Sequence, residues 1–158
     1  MNAKEIKISV LLKEKYINLS LLQNDKKSII SELVDLVAKS GKLKNKKAFL
    51  CAAMEREKLG STGIGNGVAI PHAKSKEVRA PVLCFARKER GVDFGALDGE
   101  ATSLFFMLAA PEKEVGLHLK ILAKIAGLVK DKFIIESLKN AKDKKEILKI
   151  IALHERGS

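Results

Sequence analysis

PVLCFARKERGVDFGALDGEATSLFFMLAA, residues 81–110, contains the two segments on which the fold turns. PVLCFARK and ATSLFFMLAA are compact apolar runs rich in strand-forming residues, and neither alternates with polar positions. Half-buried strands alternate, whereas strands covered on both faces stay apolar at successive positions. Between the runs, GVDFGALDGE supplies turn chemistry at Gly91, Gly95 and the Asp98-Gly99 pair. Strands of this kind need a layer above and a layer below, and the rest of the chain must provide them.

Helical signals lie on both sides. Upstream, the pattern predicts a short helix over 8–13 and a brief strand over 17–21. NDKKSIISELVDLVAKSG then offers Asn24 or Asp25 as a cap, apolar Ile29, Ile30, Leu33, Val34 and Val37, and Gly41 as a stop. A further helix fits 45–59 and ends at Gly60. Downstream of Pro111 the spacing predicts helices over 115–129, 131–139 and 142–154. No internal repeat or low-complexity linker divides the chain, so residues 1–158 are read as a single α/β domain. Its expected architecture is a central mixed β-sheet flanked by helices, with too few strands for a barrel.

Composition narrows the function. With 46% hydrophobic residues in 158, the chain carries enough apolar material for a substantial core. No apolar segment reaches the roughly 18 residues of a membrane span. Lysines and glutamates break the apolar patch of MNAKEIKISVLLKEKY, so the start does not read as a signal peptide. Cys51 and Cys84 both lie in apolar surroundings and read as packing residues rather than a disulfide framework; a reducing cytoplasm is the expected location. The net charge of +11 raises nucleic-acid binding, but arginine supplies only five of the 30 positive charges. There is no tryptophan and one tyrosine, Tyr16, to stack on bases. The lysines are scattered, which fits a solvated surface and faster encounter with an acidic partner. No specific nucleic-acid partner is expected.

The segment GSTGIGNGVAIPHAK, residues 60–74, carries the chemistry. Gly60 and Gly65 have the spacing of a phosphate-binding Walker loop, but Asn66-Gly67 stands where Lys-Ser/Thr is required. The dinucleotide pattern fails because Val68 replaces its last glycine. His72, His118 and His154 are far apart and the cysteines form no C-x-x-C pair, so neither metal nor cofactor is expected. What remains is His72. Pro71 fixes its own φ and holds Ile70 extended, which limits how the imidazole can emerge. A neutral imidazole is a competent nucleophile toward phosphorus. The hydroxyls of Ser61 and Thr62 and the amide of Gly63 are candidate phosphate-binding groups, or they serve to cap the turn. Residues alone leave open whether His72 reacts or is silent.

The combination of motifs goes further than its pieces. EREKLGSTGIGNGVAIPHAK, residues 55–74, resembles the active-site segment of the enzyme IIA proteins of the bacterial phosphoenolpyruvate-dependent phosphotransferase system. The match is to the fructose/mannitol class (type 2), which includes the nitrogen-regulatory branch. GVDFGALDGE followed by FFMLAAP, and then HLKILAKIAGLVKD, match in the same order, and the resemblance runs from about residue 8 to residue 151. It implies the enzyme IIA type-2 fold and a phosphocarrier activity. The phosphorylated carrier protein HPr would be the donor, an enzyme IIB the acceptor in sugar uptake, and a membrane would be met only through a permease partner. It also implies that His72 accepts the phosphoryl group, that His118 is the second active-site histidine, and that Arg56 stands beside the site. The alternative is a regulatory protein whose phosphorylation state controls binding to transporters or sensors, and the STGIGNG wording leans that way. Read without the resemblance, Arg56 fits a surface ion pair with a nearby glutamate. Likewise His118, on the stripe of Ile121, Leu122 and Ile125, fits a histidine at the core edge.

Overall fold

A computed structural model describes residues 6–157. In chain order the elements are α1 (Ile8–Leu11), a 3-10 turn at Glu14–Tyr16, β1 (Ile17–Asn18), α2 (Lys26–Ala38) and α3 (Lys46–Lys58). The glycine-rich segment follows as β2 (Gly63–Gly65), β3 (Val68–Ala69) and β4 (His72–Ser75). Then come β5 (Val82–Val92), β6 (Thr102–Pro111), α4 (Val115–Leu128), α5 (Lys132–Asn140) and α6 (Lys144–Arg156).

The two apolar runs form the centre of the sheet. β5 and β6 pair antiparallel, with Phe85 opposite Phe106 and Leu83 opposite Leu108. Residues 82–86 and 104–110 are buried without alternation, as strands covered on both faces must be. β1 extends the sheet beside β5 in parallel, while β3 and β4 lie parallel to β6 on its other edge and β2 closes that side antiparallel to β3. The sheet is therefore mixed. Helix α2 packs on β5 and β6, α3 on α2 and β4, and α4 and α5 on β6. Edge-to-face pairs, Phe85 with Phe106 at 4.9 Å and Phe94 with Phe105 at 5.3 Å, lock the middle of the core. Among the described residues, no helix is long and apolar enough to cross a membrane.

Local chemistry sets the helix boundaries. Asp25, not Asn24, caps α2 by accepting from the Ser28 N–H at 2.9 Å. Asn45 caps α3 through the Ala48 N–H, Asp131 caps α5 through that of Phe133, and Asp143 caps α6 through that of Glu146. The last cap starts α6 at Lys144, two residues later than the spacing predicts. The strand expected over 17–21 stops at Asn18, whose side chain accepts from the Ser20 N–H at 2.9 Å and turns the chain.

The glycine-rich run holds a turn: Asn66 and Gly67, with φ of 56° and 79°, make a tight hairpin between β2 and β3. One expectation needs correction. Cys51 is exposed on α3 rather than packed, whereas Cys84 is buried and its thiol is pushed up to about 12 by desolvation.

Candidate active site

β3 and β4 lie end to end along β6. Val68 stands opposite Leu104 and His72 opposite Leu108, so the register carries straight across Ile70 and Pro71. Pro71 has no N–H to give, but its carbonyl accepts from the Leu108 N–H at 3.0 Å, and the Ile70 N–H donates to the Thr62 carbonyl at 2.9 Å. The segment is thus fixed on the central strand immediately before the histidine.

Nδ1 of His72 lies 2.7 Å from the Ile70 carbonyl oxygen. A carbonyl only accepts, so Nδ1 carries the proton and the neutral ring keeps its lone pair on Nε2. The ring is half-buried. Desolvation moves its pKa below the ordinary histidine value, opposed by the Ile70 bond; Arg56 lowers it further, Glu57 raises it and Lys74 lowers it.

His118, in the first turns of α4, is 3% exposed, and its ring centroid is 5.3 Å from that of His72 with the planes tilted by 56°. Its Nδ1 is buried and has no hydrogen-bond partner among the described residues. Desolvation first, then His72 and Lys74, pulls this imidazole down to about 4, so it is neutral at pH 7. An orphaned, buried nitrogen carries a desolvation cost that a bound polar group would offset. The two histidines of the sequence reading therefore meet; His154, at the end of α6, is not part of this arrangement.

Arg56 occupies the last turn of α3, where Nη1 donates to the Gly60 carbonyl at 3.0 Å. The expected glutamate ion pair is instead made by its neighbour Lys58 with Glu55. The charge of the Arg56 guanidinium is felt at the His72 ring, where it lowers the pKa.

Ser61, Thr62 and Gly63 make bonds within the protein. The Ser61 hydroxyl donates to the Phe94 carbonyl at 2.9 Å and accepts from the Gly63 N–H at 3.0 Å. Thr62 gives both its N–H and its hydroxyl to the carboxylate of Glu57, at 2.8 and 2.7 Å. In this conformation the three residues hold the segment in shape through bonds within the protein. The loop between β5 and β6 completes that hold: Leu97 N–H donates to the Gly63 carbonyl at 3.2 Å, and Asp98 accepts from the Asn66 N–H at 2.9 Å.

Sequence reasoning missed Glu57 and Lys74. Phe49, Ala53 and Glu57 are the buried positions of α3 and recur every four residues, so the stripe itself marked Glu57 as inward-facing. Lys74 follows His72 by two positions in a strand, which puts both on one face.

Comparison with known proteins assigns the chain to a family. The family described as "Phosphoenolpyruvate-dependent sugar phosphotransferase system, EIIA 2" matches residues 10–153. The chain belongs to this EIIA family. A nitrogen regulatory protein of Bradyrhizobium diazoefficiens is 40% identical over 136 residues, covering 85% of this chain and 87% of that protein. The fructose-specific EIIABC component of Bacillus subtilis is 38% identical over 151 residues. That match covers 96% of this EIIA chain, which spans only 24% of the Bacillus protein's length. Among solved structures, the nitrogen regulatory protein IIA-Ntr of Neisseria meningitidis superimposes with a TM-score of 0.85 at 36% identity, covering 91% of this chain and 98% of that one. The IIA mannitol protein of Escherichia coli shares the fold, with a TM-score of 0.77 at 24% identity over 88% of this chain and 97% of that one.

Proposed function

We propose that this EIIA chain is a phosphocarrier that takes a phosphoryl group from the phosphohistidine of HPr onto Nε2 of His72 and hands it to an enzyme IIB in sugar uptake. The supporting observation is the Ile70 carbonyl on Nδ1, which leaves Nε2 as the nucleophilic nitrogen. As the Nε2 lone pair forms its bond to phosphorus, the bond from phosphorus to the donor nitrogen breaks and its electrons return to the donor ring. No proton need leave His72: Nδ1 keeps its hydrogen, and the Ile70 carbonyl stabilises the positive charge that develops on the ring. His118, neutral and lacking a partner at Nδ1, supplies a polar contact for a phosphoryl oxygen, and Arg56 offsets its negative charge. Phosphoryl transfer asks for such positioning more than for covalent work. Exposed Leu59, near Arg56 in the chain, and exposed Val115 and Leu119, on either side of His118, offer apolar surface to a docking protein.

Incubation with phospho-HPr followed by mass-spectrometric mapping tests this. One phosphoryl group on His72, lost in His72→Ala, supports the proposal; undiminished labelling of His72→Ala refutes it.

A second reading has its own support, since proteins named nitrogen regulatory match this chain over most of their length. In that reading the same phosphohistidine is a charge switch, adding up to about two negative charges at the docking face. Capture of partners by phosphorylated and unphosphorylated protein separates the two: an enzyme IIB that drains the label marks transport, and a transporter or sensor held by one form only marks regulation.

A further inference from the structure

An ion pair behind the glycine-rich segment has no part in the transfer step above. Glu57 is 7% exposed, and its carboxylate meets Nζ of Lys26 at 2.7 Å in addition to the two Thr62 donors. Lys26, at the start of α2, also stands 4.8 Å over the Phe94 ring and 3.5 Å from Oγ of Ser61. One pair of charges thus ties α2 and α3 to the start of the glycine-rich segment and to the β5–β6 loop.

Stability is a weak reason for such a pair, because desolvation offsets most of the attraction and apolar packing does as well. An amide would also hold Thr62. What an amide lacks is the charge, and a chain of contacts joins it to the ring: Glu57 holds Thr62, the Thr62 carbonyl accepts from the Ile70 N–H, and the Ile70 carbonyl meets Nδ1 of His72; there the Glu57 charge favours a positive ring. Phosphorylation places negative charge on that same ring, and a lone buried carboxylate would oppose it. Lys26 balances the carboxylate at contact distance.

We propose that Lys26 and Glu57 are a positioning pair whose balanced charges set the electrostatic field at His72, and with it the phosphoryl equilibrium between His72 and its donor. This rests on the reading of His72 as acceptor. Neither residue touches the reacting atoms, and the other groups acting on the ring, Arg56, Lys74 and His118, stay unchanged in the test.

The test uses the full chain with Lys26→Met, Glu57→Gln and Lys26→Arg. NMR titration of the His72 ring in unphosphorylated protein reads the field directly, and the phosphorylated fraction at equilibrium with phospho-HPr reads its consequence. Lys26→Met is expected to raise the His72 pKa and to shift the phosphoryl equilibrium toward HPr by about three- to tenfold. Glu57→Gln moves both quantities the other way, and Lys26→Arg restores the parent values. A purely structural pair gives a different pattern: both removals slow transfer alike and leave the His72 pKa in place, which overturns the proposal. Should Lys26→Met fail to fold, Glu57→Gln decides alone, because an unchanged or raised His72 pKa in that variant is fatal. The titration needs no phosphoryl transfer, so a His72 that never accepts phosphate refutes the acceptor reading and is recognised separately.

Discussion

The imidazole of His118 stands 5.3 Å from that of His72, centroid to centroid, and its buried Nδ1 meets no partner among the described residues. On the proposed reading of His72 as acceptor, an unsatisfied polar atom on the neighbouring ring is available to the incoming group. His118→Ala is therefore expected to slow phosphorylation of His72 by about a hundredfold, the usual loss for one preorganised donor. Labelling still maps to His72. Time courses with phospho-HPr check both points.

The pH profile follows from the direction of the His72 shift. Burial holds its pKa below the ordinary value, so the ring remains neutral at pH 7 and somewhat below the pH at which a free histidine would charge. Transfer rates are expected to hold steady from pH 8 to about 6.5 and to fall only in more acid solution. A decline already under way at pH 7.5 would contradict the burial effect.

Stability should depend on His118 over a defined window. Its folded pKa, about 4, lies below the unfolded value of about 6.5. Between the two the unfolded chain binds a proton that the folded chain refuses, so stability present above pH 6.5 is lost as the pH falls toward 4. The full effect is on the order of 3 kcal/mol. His118→Phe should flatten this acid limb relative to the parent, as read by urea unfolding at pH 7 and pH 4.5.

The loop between β5 and β6 approaches the glycine-rich segment too closely for any side chain at Gly63. A Cβ there would lie 3.0 Å from the Cα of Ala96, a backbone atom that cannot swing aside. Gly63→Ala should cost about 1–3 kcal/mol through overpacking, seen as a lower Tm. Slower transfer should accompany it, because the Leu97 bond to the Gly63 carbonyl is displaced as well.

Arg87 provides a contrast far from the chemistry. Its Nη1 donates to the carbonyls of Leu138, Lys139 and Ala141 at 3.0, 3.1 and 2.9 Å, satisfying the end of α5. Arg87→Leu is expected to cost about 1–3 kcal/mol by orphaning these groups. The transfer rate per folded molecule should stay at the parent value, as denaturant titration alongside the HPr assay would show.

How far the sequence discloses this molecule depends on the range of the forces involved. β5 and β6 were legible because two-sided burial leaves an unbroken apolar run, and α2 because its capping residue and apolar period are local. The hairpin at Asn66-Gly67 also had a local signal, the dipeptide suited to two consecutive positive φ values. Glu57 was hidden. Its partners, Lys26 and Thr62, come together only when α2 packs on α3 and the chain doubles back five residues later. The meeting of His72 with His118 likewise depends on α4 lying over β6, which no spacing encodes; resemblance supplied that pair, and the fold supplied their separation.

The uninterrupted alignment of β3 and β4 on the central strand has a consequence for how a partner must work. An imidazole anchored to the sheet on one side of Pro71 and to the Ile70 oxygen at Nδ1 has little room to swing toward an incoming group. Under the proposed carrier role, the visiting protein has to do the aiming, bringing its own phosphorus into line with a stationary target.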